Sequence, residues 1–216
     1  MPKNNHQSGD FGAQTVPDLT LERALAPGRV CGVDEVGRGP WAGPVVAGAV
    51  VLNPVRVPDG LNDSKKLSAS RRADLARELH DCAMCGIGLA DVAEIDQHNI
   101  LNATYLAMRR AIDALGVAPD HALIDGNRVP DSLPCAATPV IRGDGRSASI
   151  AAASIIAKVA RDEIMVALAQ QFPGYGWETN AGYGVKAHSE ALKTLGVTPH
   201  HRRSFKPIHN MLCLGK

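Results

Sequence analysis

Gly32-Val-Asp-Glu-Val-Gly-Arg-Gly-Pro-Trp-Ala-Gly-Pro-Val-Val-Ala-Gly-Ala-Val-Val-Leu52 is the stretch on which the reading of the chain turns. Its two apolar runs, residues 30–33 and 45–52, are short and rich in valine, so both predict buried strands. The seven-residue link between them, 36–42, is too short for a crossover helix, which predicts an antiparallel pair. Asp34 and Glu35 stand side by side where the first run ends. Successive strand side chains point to opposite faces, so two adjacent acids fit a strand end beside a cleft better than a core. Gly37 and Gly39 flank Arg38, and glycine lets a backbone approach a ligand closely. Paired acids, close backbone and one guanidinium suit a phosphodiester site. The glycines alone would also suit a plain hairpin turn. They do not match the G-x-G-x-x-G dinucleotide spacing, and no G-x-x-x-x-G-K-[ST] loop occurs in the chain.

The pattern of acid beside glycine recurs downstream. A short strand predicted over 121–125 ends in Asp125-Gly126, and a second over 139–142 runs into Gly143-Asp144-Gly145. An aspartate after a strand is a common turn residue. Three such strand ends together point instead to one site, because open α/β sheets bind ligands at strand ends. Four carboxylates without histidine or cysteine form a hard-oxygen set suited to Mg²⁺ or Mn²⁺. No G-x-S-x-G or H-E-x-x-H occurs, which argues against a serine hydrolase or a zinc peptidase. Between the strands, helices are expected after Ser68 or Ser70, over 96–115, over 147–171 and over 185–195, with a third strand over 82–89. Leu101, Tyr105, Met108, Ile112 and Leu115 form the apolar stripe of the second of these helices. Ser154 and Lys158 share a face of the third, and Asp162 reads as a surface charge.

Hydrophobic content of 45% and charged content of 21% over 216 residues fit one globular domain with at most a small appendage. No apolar run approaches the roughly 20 residues of a membrane span, and residues 1–18 lack the apolar core of a secretory signal. Five scattered cysteines suit reduced thiols and a cytoplasmic location; Cys82-x-x-Cys85 has no second ligand pair to make it a zinc site. The net charge of +1 conceals an asymmetry: residues 184–216 hold six Lys/Arg against Glu190 alone, whereas the remainder is acidic. Such a division suits a protein that holds cations in one part and a polyanion in the other.

In chain order, Gly-Val-Asp34-Glu35-Val-Gly37-Arg38-Gly39-Pro-x-Ala-Gly-Pro, Asp63-Ser64-Lys-Lys66-Leu-Ser68, Ile124-Asp125-Gly126, Gly143-Asp144, Ser154-Ile-Ile-Ala-Lys158-Val-x-Arg-Asp162, Gly182-Tyr183-Gly-x-x-x-His188 and His201-Arg-x-Ser204-Phe205-x-Pro207 resemble bacterial ribonuclease HII. The resemblance implies an RNase H-like α/β fold: a mixed five-stranded sheet flanked by helices, with a small helical C-terminal region. It divides the chain into a flexible tail (1–28), a catalytic core (29–172) and a substrate-binding region (173–216). Asp34, Glu35, Asp125 and Asp144 would bind two Mn²⁺ or Mg²⁺ ions. The implied substrates are RNA–DNA hybrids and duplex DNA holding single ribonucleotides, cut on the 5′ side by a monomer to leave 3′-hydroxyl and 5′-phosphate ends. Gly37, Arg38, Gly39 and Tyr183 would read the ribose 2′-OH, the group that separates RNA from DNA. Ser64, Lys66, Ser154, Lys158, Arg203 and Ser204 are further expected phosphate contacts. Val185 departs from the family's usual threonine, which removes a hydroxyl near Tyr183. The short segment before the first motif argues against the related ribonuclease HIII, with its extra N-terminal domain. A silent hybrid-binding protein or a DNA-only nuclease of the same fold would not need both the acids and the Gly-Arg-Gly turn.

Overall fold

The computed structural model of the chain describes residues 16–214. Five strands make one mixed sheet in the order β3-β2-β1-β4-β5. They are β1 (Val30–Val36), β2 (Val45–Val51), β3 (Met84–Ala90), β4 (His121–Asp125) and β5 (Ala136–Val140). As expected, β1 and β2 are antiparallel, while β4 lies parallel to β1 on its other side. That parallel register, Val33 against Ile124, brings the C-terminal ends of β1 and β4 to one edge of the sheet. Helix α3 (Val92–Asp113) covers one face, and α4 (Ala148–Gln171) covers the other with α2 (Ala69–Cys82) beside it. Alanine-rich α4 approaches β1 so closely that a Cβ on Gly32 would lie 2.1 Å from the Ser149 carbonyl carbon. Asp34 lies two residues along the same face and therefore also points toward α4.

Several elements differ from their sequence expectation. The last strand is 136–140 rather than 139–142, because Arg142 turns left-handed (φ 54°) into a 3-10 turn at Gly143–Gly145. Helix α3 starts at Val92, where Asp91 and Glu94 form a reciprocal capping box, and it breaks at Asn99 (φ 63°). The Asn99 side chain accepts from the Leu101 and Asn102 amides and so caps the second part. Of the tail expected over 1–28, the described part holds a short helix. Helix α1 (Thr20–Ala24) docks on the core, and Glu22 Oε1 accepts from the Ser147 and Ser149 hydroxyls at the start of α4. Residues 1–15 of that tail lie outside the described residues.

The C-terminal region contains α5 (Trp177–Asn180), α6 (Lys186–Leu195) and α7 (Lys206–Leu214), of which only α6 was expected. Tyr175, Trp177, Leu192 and Ile208 pack with Met165 of α4 and Ala42 of the β1–β2 connection. The region thus shares its core with the catalytic sheet's own loop. No helix among the described residues is long and apolar enough to cross a membrane.

Candidate active site

The β1–β4 edge carries the acids. Asp34 is only 6% exposed, and Glu35 on the adjoining position leans to Arg38 at 3.1 Å. Asp125 ends β4 and accepts the Gly143 amide at 2.7 Å, which holds the turn bearing Asp144 against it. Burial, then the Glu35 and Asp125 carboxylates, push Asp34 well above the usual carboxylate range, opposed by hydrogen bonds from Ser154 and the Glu35 amide. Burial likewise raises Glu35 against the pull of Arg38, and burial with Asp125 and Asp63 raises Asp144. Carboxylates that repel one another at one edge are relieved by a cation, and their oxygen chemistry fits Mg²⁺ or Mn²⁺. Among the described residues no three Asp, Glu, His or Cys side chains are grouped closely enough to hold a metal ion by themselves. Mg²⁺ usually keeps water and substrate phosphate as further ligands.

Lys65 is a second cation near the acids, after Arg38. Burial works against its charge, yet Asp63, Asp34, Asp144 and Asp125 outweigh it and raise its pKa. The Asp63 carboxylate accepts the Lys65 amide and fixes the 3-10 turn Ser64–Lys66 that carries the lysine. The sequence offers Lys65 and Lys66 alike as phosphate contacts; both are exposed, and Lys65 is the one on which the acids act. Ser64 and Ser154 are both buried, 2.8 Å apart, and Ser154 also hydrogen-bonds Asp34. The two hydroxyls and the Asp34 carboxylate thus form one buried polar cluster.

Lys158 is engaged by Asp162 at 2.5 Å. Asp162, read from sequence as a plain surface charge, also faces Arg72, whose guanidinium donates to the Ser64 and Leu67 carbonyls. Arg203 and Ser204 are exposed, but both amides and the Ser204 hydroxyl donate to Asp96 in the first part of α3. Arg203 keeps its guanidinium exposed on that surface.

The Gly37-Arg38-Gly39 turn lies beside the acids, and Tyr183 covers it: a Cβ on Gly39 would sit 3.5 Å from the Tyr183 ring. The ring is 47% exposed, so one face stays open. Behind it, His188 Nδ1 donates to the Tyr183 carbonyl at 2.9 Å. That leaves His188 Nε2 to accept from Trp177 and from His201 Nε2, each at 3.1 Å, and His201 Nδ1 to accept the Thr198 amide. Burial and the His188 neighbour hold His201 down at about 4, and burial lowers His188. Both rings are neutral supports. A groove of about 360 Å³ runs from Arg38 and Asp125 along Leu101, Tyr105, Met108 and Arg128. The upper end of the α3 stripe, expected to be core throughout, lines this groove.

The family model described as Ribonuclease HII matches residues 31–208. Ribonuclease HII of Ruegeria pomeroyi is 61% identical over 207 residues, covering 94% of this chain and 88% of its own. That of Jannaschia sp. is 62% identical over 197 residues, covering 91% and 98%. The structure of ribonuclease H2 from Pyrococcus horikoshii superposes with a TM-score of 0.71 at 26% identity, covering 84% of this chain and 96% of that one. Sheet order and acidic edge define a nuclease of the RNase H-like class. Within that class the chain belongs to the ribonuclease HII family, and it is an endoribonuclease acting on RNA–DNA hybrids.

Proposed function

We propose that the enzyme also cuts duplex DNA on the 5′ side of a single embedded ribonucleotide, leaving 3′-hydroxyl and 5′-phosphate ends, and that it does so in the cytoplasm with two Mn²⁺ or Mg²⁺ ions. The observation that carries this reading is the Tyr183 ring lying against Gly39 beside the four acids, with Arg38 bonded to Glu35. Asp34, Glu35, Asp125 and Asp144 would hold the ions, which when bound activate water and stabilise the departing 3′-oxygen. Ser154 keeps the Asp34 carboxylate oriented, and Lys65 offers charge to the phosphate beside the cut. The Tyr183 ring and the Gly37–Gly39 backbone meet the ribose from two sides, where an edge reading of the base is not required. Exposed Arg203 and Lys66, with Arg128 along the groove, extend the positive path for the flanking phosphates. Ser64 and Ser204 support the turn and the α7 entrance.

The test is cleavage of a labelled duplex with one ribonucleotide in Mn²⁺, Mg²⁺ or EDTA, run beside Tyr183→Ala. Metal-dependent cutting 5′ of the ribonucleotide is expected, with Tyr183→Ala lower by roughly 5- to 30-fold if the ring contributes about 1–2 kcal/mol of stacking. Cleavage of long hybrids with none at the single site would overturn the reading.

A further inference from the structure

Two arginines are completely buried behind the Gly37-Arg38-Gly39 turn, and neither makes an ion pair among the described residues. Arg202 donates from Nε to the Gly43 carbonyl at 3.0 Å, from Nη1 to Arg38 at 2.9 Å and from Nη2 to Gly37 at 2.5 Å. Arg161 donates to the carbonyls of Pro44, Ala42 and Ala181. Five of the eight carbonyls from residue 37 to 44 thus end on a guanidinium. Gly37 is glycine for the same reason, since a Cβ there would stand 2.1 Å from Arg161 Nε. The Phe205 ring lies 5.0 Å from the Arg202 guanidinium carbon and seats it.

Burying two cations without an anion is costly, and an apolar side chain would fill the space more cheaply. What arginine alone supplies is a planar fork with several donors in fixed geometry. A trans peptide is rigid, and its C=O and N–H point in opposite directions. Pinning the oxygens of Gly37 and Arg38 inward therefore turns the amides of Arg38 and Gly39 outward, toward the Tyr183 side. Neither amide donates a backbone or side-chain hydrogen bond among the described residues. They are free donors held at a fixed angle.

We propose that Arg202 is a positioning residue for ribose discrimination: it never touches the nucleic acid, but it fixes the two peptide units whose amides meet the 2′-oxygen. This rests on the proposed reading of the turn. Arg202 belongs to the C-terminal region, so it also makes recognition at β1 depend on that region being docked.

The experiment compares the parent with Arg202→Lys, whose single ammonium cannot span three carbonyls. In an Asp34→Asn background, binding of two duplexes that differ only by one 2′-OH is followed by fluorescence anisotropy. The expected result is loss of the ribonucleotide preference with unchanged affinity for the all-DNA duplex. In the active background kcat/KM on the single-ribonucleotide duplex falls by about 100-fold, as for a small misplacement of a reacting group. A purely structural role would lower the melting temperature and weaken both duplexes alike, and that result, or an intact preference, overturns the proposal. Should Arg202→Lys not fold, Phe205→Leu loosens the same guanidinium while keeping every donor. A weakened preference there supports the proposal, and an unchanged one sinks it. Failure of the functional reading is visible separately, as a parent enzyme that ignores the ribonucleotide.

Discussion

At the scale of single residues, Asp34 holds the site's largest tension: a carboxylate facing α4, buried, beside two others. Because its folded pKa is raised, Asp34's contribution to the stability of the metal-free protein is full below the ordinary carboxylate range and is lost as pH rises through the raised value. Asp34→Asn removes the buried charge. It should raise the melting temperature of the metal-free protein at pH 7, by about 2–4 °C for each kcal/mol relieved in a chain of this size. The same variant should lose the stabilisation that Mn²⁺ gives the parent and cut RNA–DNA hybrids at least about 1000-fold more slowly, the loss of several kcal/mol of metal assistance. Thermal melts with and without Mn²⁺, beside a cleavage assay, check all three. A metal-free variant less stable than the parent would mean that Asp34 is not under repulsion.

Elements explain what the single residues do not. Val185 is the residue before α6, and its side chain makes no capping hydrogen bond. The threonine expected there by resemblance is a helix cap, so its absence affects the helix behind Tyr183 more than the substrate. Val185→Thr should stabilise the protein by about 0.5–1.5 kcal/mol, read from urea midpoints, with little change in cleavage. The neighbouring histidine pair predicts acid sensitivity. His201 titrates at about 4 instead of its ordinary 6.5, so the stability it lends is full above pH 6.5 and is lost as pH falls toward 4. The loss is on the order of 3 kcal/mol. Measured by denaturant unfolding in the Asp34→Asn background, where the opposite trend of Asp34 is gone, stability should fall over that window. His201→Gln should flatten the fall, and an equally steep curve in that variant would contradict the assignment. The histidines were visible in the sequence as part of two motifs, but nothing there indicated that they bond each other.

Across the whole molecule, charge division survives with a correction. Of the six cations counted in residues 184–216, Arg202 is spent inside the protein, whereas Lys186, Lys193, Arg203 and Lys206 are exposed. If three or four phosphates are neutralised by such groups, hybrid affinity should drop about 40- to 150-fold between 50 and 200 mM salt. Anisotropy titrations over that range give the slope, and a flat response would remove the C-terminal region from the nucleic-acid path. The region is also not separable: Met165 and Ala42 of the core complete its apolar centre.

Local order was set by residues close in sequence, and those features were legible: two valine-rich strands, a short antiparallel link, and acids beside glycines at strand ends. The break in α3 was not, because Leu101 to Leu115 keep helical spacing while Asn99 alone leaves it. The four acids could be named from their motifs, yet their meeting depends on β4 pairing parallel with β1, a contact across about ninety residues. The coupling of Lys65 to the acids, Asp162 as a partner of Arg72, and Arg202 as an internal fork are choices between chemically equivalent readings. Side-chain type fixes what a group can do. Which way it points, and whether water remains around it, is decided only when distant segments close over it.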